Sequence, residues 1–189
     1  MSFIIDTAIN GQGDNQGKAY FFKDSQYIRY DWNSERVDEG YPADLSLWNL
    51  PAPFQIGLHA ALNGAGNYAG KAFFFRGDQY VRYDWATDQI DEGYPLPLSA
   101  WNLPEPFLSG IDAAINGYGL YEGKAYFFKE GQYVRYDWAE EQIDLQSPLS
   151  PWQLPSPSGW RVDAVLAGQR QYVGKAYFFR HGTYVRYDW

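Results

Sequence analysis

One segment of sixteen residues occurs four times along the chain, and this repetition limits the fold more than any other feature. The third copy, residues 123–138, reads GKAYFFKEGQYVRYDW. The four copies end at Trp32, Trp85, Trp138 and Trp189, at intervals of 53, 53 and 51 residues. Such a period is typical of architectures that use one supersecondary unit several times. The 189 residues are therefore predicted to form one domain of four like units.

Each unit carries strand signals. In the third unit, DAAINGYG, KAYFFK and QYVRYDW alternate apolar and polar residues, with turn residues such as Asn-Gly and Glu130-Gly131 between them. A further segment, QIDEGYPLP at 89–97 in the second unit, is predicted to be a fourth strand or an extended edge piece. LSAWNLPEPF at 98–107 predicts a short helical turn that prolines end. Four strands and a connector in about fifty residues indicate a propeller blade.

We therefore predict an all-β, four-bladed β-propeller with short helical connectors between blades. The single domain, 1–189, divides into blades at approximately 3–54, 55–107, 108–158 and 159–189. Four hairpin domains in series are the alternative, but a unit of this size cannot bury its own aromatic faces. Arg135 and Asp137 share one face of a strand, which favours structural ion pairs over a ligand site.

Composition excludes several classes of partner. There is no cysteine, so neither disulfides nor thiol chemistry is available. The net charge of −8 argues against nucleic acid and anionic membranes. The start, MSFIIDTAIN, does not resemble a signal peptide, and no segment is long and apolar enough to span a membrane. We expect a soluble protein, cytoplasmic or non-classically exported, with the compartment left open.

Catalytic motifs are not evident. The chain has two histidines, and neither His59 nor His181 sits in a nucleophile or zinc motif. GQGDNQG at 11–17 contains glycines but follows no βαβ pattern, so it is predicted to be a turn. Acid pairs such as Asp91-Glu92 recur with the repeat and are expected to be features of the blade edge. We therefore expect the protein not to be an enzyme.

Three motifs and their copies resemble the hemopexin-repeat family, most closely its cysteine-free bacterial and plant seed-albumin-like branch. They are DAAING (112–117), GKAYFFKEGQYVRYDW (123–138) and IDEGYPLPLSAWNLP (90–104), and the resemblance covers nearly the whole chain. It implies four hemopexin-like blades around a central tunnel and a binding role. Metalloproteinase members use the domain for substrates and inhibitors, serum members bind haem, and seed members have been linked to haem and polyamines.

Two departures from that family stand out. No cysteine pair ties the first blade to the last, and serum-type haem binding uses two domains where this chain has one.

The leading interpretation is a non-enzymatic module that binds an unidentified protein or small molecule and holds an ion in its tunnel. The alternatives are a haem or iron carrier and a storage or defence protein.

The start of each unit is expected to line the tunnel, because small residues there let four strands approach the axis. A ring of carbonyl oxygens suits calcium or sodium, and a ring of amides suits chloride. The resemblance implies such ions in the tunnel. Its cation ligands would be the carbonyls of Asp6, His59, Asp112 and Asp163. Its anion donors would be the amides of Ala8, Ala61, Ala114 and Val165. The alternative is that the aspartate side chains only cap the strand entry.

Two further ligand sites are weighed. His59 and His181 are expected at one end of the tunnel, where a haem could take both as axial ligands, although surface variation also explains His181. Tyr68, Tyr121 and Tyr172 occupy equivalent loop positions and are expected to ring the opposite end, where they would suit sugars, polyamines or a protein. Packing of each ring on its own hairpin is the alternative.

The fourth unit lacks the outer segment that the other three have. Its last strand, with Tyr184, Val185 and Tyr187, is therefore expected to have an unpaired edge. Two copies could pair through this edge as a homodimer, or the N-terminal segment 2–5 could cover it.

Overall fold

Each copy of the repeat folds as an antiparallel sheet, because tight turns join strand segments that share alternating apolar faces. The computed structural model describes residues 4–154 and 161–189. It contains four sheets, which we name the first to fourth blades in chain order. The predicted blade limits at residues 3, 158 and 159 lie outside the described residues.

The first two blades have five strands each. In the first blade they are β1 (Thr7–Asn10), β2 (Lys18–Lys23), β3 (Gln26–Asp31), β4 (Arg36–Val37) and β5 (Ala43–Asp44). In the second they are β6 (Ala60–Asn63), β7 (Lys71–Arg76), β8 (Gln79–Asp84), β9 (Gln89–Ile90) and β10 (Leu96–Pro97). In both blades two short strands pair with the outer edge of the third strand. The outer segment at 89–97 is thus two short strands.

The third and fourth blades have four and three strands. Those of the third blade are β11 (Ala113–Asn116), β12 (Lys124–Lys129), β13 (Gln132–Asp137) and β14 (Gln142–Pro148). Those of the fourth are β15 (Ala164–Ala167), β16 (Lys175–Arg180) and β17 (Thr183–Asp188). Among the described residues β17 has no outer neighbour, in agreement with the sequence.

The four first strands form a ring. β1 contacts β6 and β15, and β11 contacts the same two strands. Each first strand contributes a small or short buried residue that shares a packing cluster with a branched aliphatic residue of the neighbouring first strand: Ala61 with Ile9, Ala114 with Leu62, Val165 with Ile115 and Ala8 with Leu166. Small side chains allow the backbones this close approach to the axis. The predicted all-β fold of four propeller blades with short helical connectors is confirmed.

Short helical segments join the strands. Between blades lie α1 (Ala52–Gln55) and 3-10 turns at Leu45–Trp48, Leu98–Trp101, Phe107–Ser109 and Ser150–Trp152. Within each blade a 3-10 turn follows the first strand, at Gly13–Asn15, Gly66–Tyr68, Gly119–Tyr121 and Arg170–Tyr172. No helix within residues 4–154 and 161–189 is long and apolar enough to cross a membrane.

Three of the connectors in the described part of the chain insert a tryptophan between two blades. We call Trp48, Trp101 and Trp152 the wedge tryptophans; each is 5–6% exposed. The rings around Trp48 are Tyr20, Phe22 and Tyr27 of the first blade and Phe74, Tyr83 and Trp85 of the second. Equivalent rings surround Trp101 and Trp152. The wedge tryptophans therefore hold neighbouring blades together by aromatic packing.

The loop after each first strand begins with a glycine that a larger residue cannot replace. A Cβ atom at Gly64 would lie 2.2 Å from the carbonyl oxygen of Tyr68. The same close approach occurs at Gly11, Gly117 and Gly168. The Asn-Gly pair predicted as a turn thus ends a strand and leads into a 3-10 turn, because the chain folds back against the glycine.

Ion pairs cluster on the outer strands of each complete blade. In the first blade Lys18 lies 2.7 Å from Asp31 and 2.9 Å from Asp38, and Arg29 lies 2.6 Å from Asp38. The same four positions pair in the second blade (Lys71, Asp84, Asp91, Arg82) and the third (Lys124, Asp137, Asp144, Arg135). These contacts agree with the structural interpretation of the strand charges.

Candidate functional site

A cavity of about 670 Å³ opens at the end of the ring where the first strands begin. We call it the tunnel mouth. Its lining includes Asp6, His59, Asp112, Asp163, His181 and Lys129. The structure thus brings together all four residues predicted to offer carbonyls, and both histidines. A cavity of this size lies in the range of ligand sites, roughly 300–1,000 Å³.

The side chains that begin the four first strands all bind the hairpin turn of their own blade. The Asp6 carboxylate accepts from the Asp24 N–H at 2.7 Å and from Lys23 Nζ at 2.9 Å. Asp112 and Asp163 accept the corresponding backbone N–H groups at 2.9 and 2.7 Å. Each of these side chains is therefore held by the hairpin turn of its own blade.

Sheet register determines where those carbonyls point. The Gly11 N–H donates to the Lys18 carbonyl, and hydrogen-bonded pairs alternate along an antiparallel ladder. Thr7 therefore pairs by hydrogen bonds with Phe22, while the amide of Ala8 does not bond to β2. In the trans peptide group between Asp6 and Thr7 the C=O points opposite to the N–H. Because the Thr7 N–H points to β2, the Asp6 carbonyl points away from β2, toward the tunnel. The same register holds in the other three blades.

Deeper in the tunnel, asparagines link the first strands around the ring. Asn63 Nδ2 donates to the Asn10 carbonyl (2.8 Å), and Asn116 Nδ2 donates to the Asn63 carbonyl (2.7 Å). Asn10 Nδ2 donates to the Ala167 carbonyl of the fourth blade (2.7 Å). Each asparagine Oδ1 also accepts the indole N–H that closes its own blade, for example Trp85 onto Asn63 at 2.8 Å. A cavity of about 60 Å³ remains at this level.

The fourth blade interrupts this asparagine ring, because Ala167 occupies the equivalent position. We expect Ala167→Asn to raise the free energy of unfolding by about 1–2 kcal/mol, since the new amide can donate to the Asn116 carbonyl and accept from Trp189. Urea denaturation measures the change. In a Trp189→Phe background the gain should shrink, because that indole donor is gone. A variant less stable than the parent would contradict the prediction.

The geometry around His59 disfavours the predicted haem site. Its Nδ1 accepts a hydrogen bond from the Gly77 N–H at 3.1 Å. Desolvation in the cavity, with the nearby Arg76 guanidinium, lowers the pKa of His59 below its usual value and favours the neutral ring. The hydrogen of that ring then lies on Nε2, so neither nitrogen has a free lone pair for iron. His181 is exposed in its turn and lines the same mouth.

The three loop tyrosines pack between blades. Tyr68 lies 5.9 Å from Trp138 of the next blade, Tyr121 lies 6.0 Å from Trp189, and Tyr172 lies 6.0 Å from Trp32 (ring centroids). The expected ring of tyrosines around the tunnel end is not formed by them, because each side chain turns outward onto a tryptophan. Among the described residues, alanines, asparagines and branched aliphatic residues line the inner tunnel cavity. The packing alternative fits these contacts.

The predicted dimer edge is only partly free. On β17, Tyr184 is 62% exposed, whereas Val185 and Tyr187 are half-buried and Tyr187 packs 5.0 Å from Trp152. Residues 2 and 3 of the N-terminal segment lie outside the described residues, and Ile4 is exposed. Homodimerisation through this edge stays a prediction.

The four repeated blades and the axial tunnel define a repeat propeller. The hemopexin family model matches residues 12–52 and 63–105. The chain belongs to the hemopexin-repeat family. It is 30% identical to macrophage metalloelastase of Oryctolagus cuniculus over 175 residues, 90% of this chain and 33% of that protein.

Solved structures show the same fold in plant seed proteins. A plant lectin with two metal binding sites from Cicer arietinum aligns with a TM-score of 0.79 at 20% identity, covering 98% of this chain and 87% of the lectin. The seed albumin LS24 from Lathyrus sativus aligns with a TM-score of 0.77 at 23% identity, covering 96% and 84%. The expected likeness to the seed-albumin fold is confirmed.

The expectation that the protein is not an enzyme is wrong by these comparisons. The curated relatives are metalloproteinases, which the chain matches through their hemopexin domains. The chain spans about a third of the length of these relatives. The expectation rests only on the absence of catalytic motifs within this chain. Because the chain matches one third of each relative, motifs in that third say nothing about the activity of the full-length relatives.

Proposed function

We propose that the chain is a binding module whose tunnel mouth holds a calcium or sodium ion on a ring of backbone carbonyls. The ligands would be the carbonyls of Asp6, His59, Asp112 and Asp163. The observation that carries the proposal is the common register of the four first strands, which turns one equivalent carbonyl per blade away from the second strand. Carbonyl oxygens are ligands that hard cations prefer.

Two further observations support a carbonyl site. Within residues 4–154 and 161–189 there is no cluster of three or more acidic, histidine or cysteine side chains that could hold a metal ion. The net charge of −8 favours cations over anions at the mouth. Two residues further along each first strand, the amides of Ala8, Ala61, Ala114 and Val165 would suit chloride.

A bound cation would supply a cross-link between four strands that belong to four blades. The lectin from Cicer arietinum with this fold is described with two metal binding sites, which is in line with the proposal. The cavity above the ring would then take the ligand, a small molecule or a protein segment, on a rigid floor. Haem is not favoured, because His59 offers no free nitrogen.

The test compares His59→Asp with His59→Asn. Both side chains keep an acceptor for the Gly77 N–H, but only aspartate restores the charge found at the other three positions. A unit charge about 10 Å from a divalent ion contributes about 1 kcal/mol in a water-like dielectric, so calcium should bind about fivefold more tightly to His59→Asp. Calorimetric titration after chelator dialysis measures this affinity.

The parent protein should gain thermal stability when calcium is added, because a ligand bound to the native state raises the melting temperature. His59→Asn should bind calcium like the parent. Sodium occupancy would appear as stabilisation by sodium that a chelator does not remove. If neither ion changes the melting temperature and no uptake is detected, the carbonyl site is disproved.

A further inference from the structure

The seam between the fourth and first blades contains an open aromatic groove of about 620 Å³. We call it the seam groove. Its lining includes Tyr177, Phe179 and Tyr184 of the fourth blade, and Phe21, Tyr30 and Trp32 of the first. These residues come from the same repeat positions that surround each wedge tryptophan. The groove is therefore the fourth copy of a socket that is filled at the other three interfaces.

No tryptophan from the described residues enters the seam groove. Tyr184 in this groove is therefore 62% exposed, whereas the equivalent tyrosines at the other three interfaces, Tyr27, Tyr80 and Tyr133, are only 6–7% exposed. Among the residues that the structure describes, the buried cluster at the seam comprises four, compared with 11 to 16 at the other three interfaces. Aromatic faces that are buried elsewhere in the molecule thus remain in contact with water here.

Charge at the groove is also incomplete. In the other blades the arginine equivalent to Arg186 pairs with an aspartate of the outer segment, for example Arg82 with Asp91 at 2.5 Å. Arg186 lines the seam groove, lies 3.8 Å from Asp188 and is 53% exposed. Within the described residues no side chain takes the place of Asp91. An occupant with a carboxylate would therefore be complementary to the groove.

We propose that the seam groove binds a peptide segment of another protein that carries a carboxylate and, some ten residues later, a tryptophan. The carboxylate pairs with Arg186, the extended part adds to the free edge of β17, and the indole enters the aromatic socket. The spacing follows from the connectors of this chain, in which Asp91 precedes Trp101 by ten residues. This inference is independent of the tunnel ion.

The experiment uses a synthetic peptide of residues 89–104, QIDEGYPLPLSAWNLP, titrated into the full chain by calorimetry. We expect saturable one-to-one binding. A peptide with Trp101→Ala should bind about a hundredfold more weakly, because a buried indole is typical of a binding hot spot. The protein variant Tyr184→Ala should lose affinity, while Leu120→Ala should not, since Leu120 is fully exposed and does not line the groove.

Arg186→Gln tests the charge. It should weaken binding of the parent peptide about fivefold and leave binding of the Asp91→Asn peptide unchanged, since that peptide has no carboxylate for the arginine. Failure of the parent peptide to bind at 1 mM overturns the proposal, as does equal binding of the Trp101→Ala peptide. So does a dimer in light scattering that Tyr184→Ala converts to a monomer, because a second copy would then occupy the groove.

Discussion

Replacing Trp101 with alanine should lower the free energy of unfolding by about 3–5 kcal/mol, the range for removing a large aromatic residue from a core. The side chain is 6% exposed and packs against six aromatic rings of two blades. Its loss leaves a cavity that rigid sheets on both sides cannot close. Denaturant unfolding followed by circular dichroism gives the change in stability.

Two controls make the effect of Trp101 specific. Leu47→Ala changes the equivalent connector of the first blade at a position that is 66% exposed, and should alter stability by less than about 0.5 kcal/mol. Trp101→Phe should cost clearly less than Trp101→Ala, because the buried Trp101 Nε1 has no hydrogen-bond partner to lose. If Trp101→Ala unfolds at the parent's urea concentration, the wedge tryptophans do not hold the blades together.

Asn63→Ala should destabilise the protein by about 2–4 kcal/mol. The change leaves two groups without their partners, the buried Trp85 indole N–H and the part-buried Asn10 carbonyl, and each loss costs about 1–3 kcal/mol. Asn33→Ala, at an exposed turn position, is the matched control and should be nearly neutral. The loss is measured by thermal and urea unfolding.

A double-mutant cycle with Trp85→Phe separates the two hydrogen bonds of Asn63. In that background Asn63→Ala should cost less than in the parent, because the indole donor is already absent. An equal cost in both backgrounds would show that the Trp85 bond contributes nothing to stability.

Most of the fold could be predicted because the repeat places equivalent residues in equivalent surroundings. The tryptophan spacing indicated four blades, and the leading residues of each copy lie together at the tunnel mouth as expected. The hydrogen-bond partners of the Asp6 and His59 side chains could not be predicted, because the same residue types serve as caps and as metal ligands. Only the hydrogen bonds to the hairpin turns distinguish the two.

Sequence patterns did not predict the direction of the loop tyrosine side chains or the burial of the wedge tryptophans. Tyr68 and its equivalents have the right periodicity for a ring, but periodicity does not tell whether a side chain turns inward or outward. Trp101 was predicted only as part of a short helical turn, since its burial depends on aromatic faces from two blades. That no tryptophan among the described residues fills the fourth interface is likewise a result of the packing and not of the pattern.

The unequal interfaces also determine where the ring can open. Within the described residues, wedge tryptophans close three seams. The seam between the fourth and first blades is held by the Asn10 hydrogen bond, by the aromatic contacts of Trp32 and Phe21 with the fourth blade, and by a smaller buried cluster. The free energy that resists local opening is therefore distributed unevenly around the axis. Because Trp152 joins the fourth blade to the third, the three filled seams connect all four blades in series. We therefore expect the ring to open first between the fourth and first blades, each of which stays attached to its other neighbour.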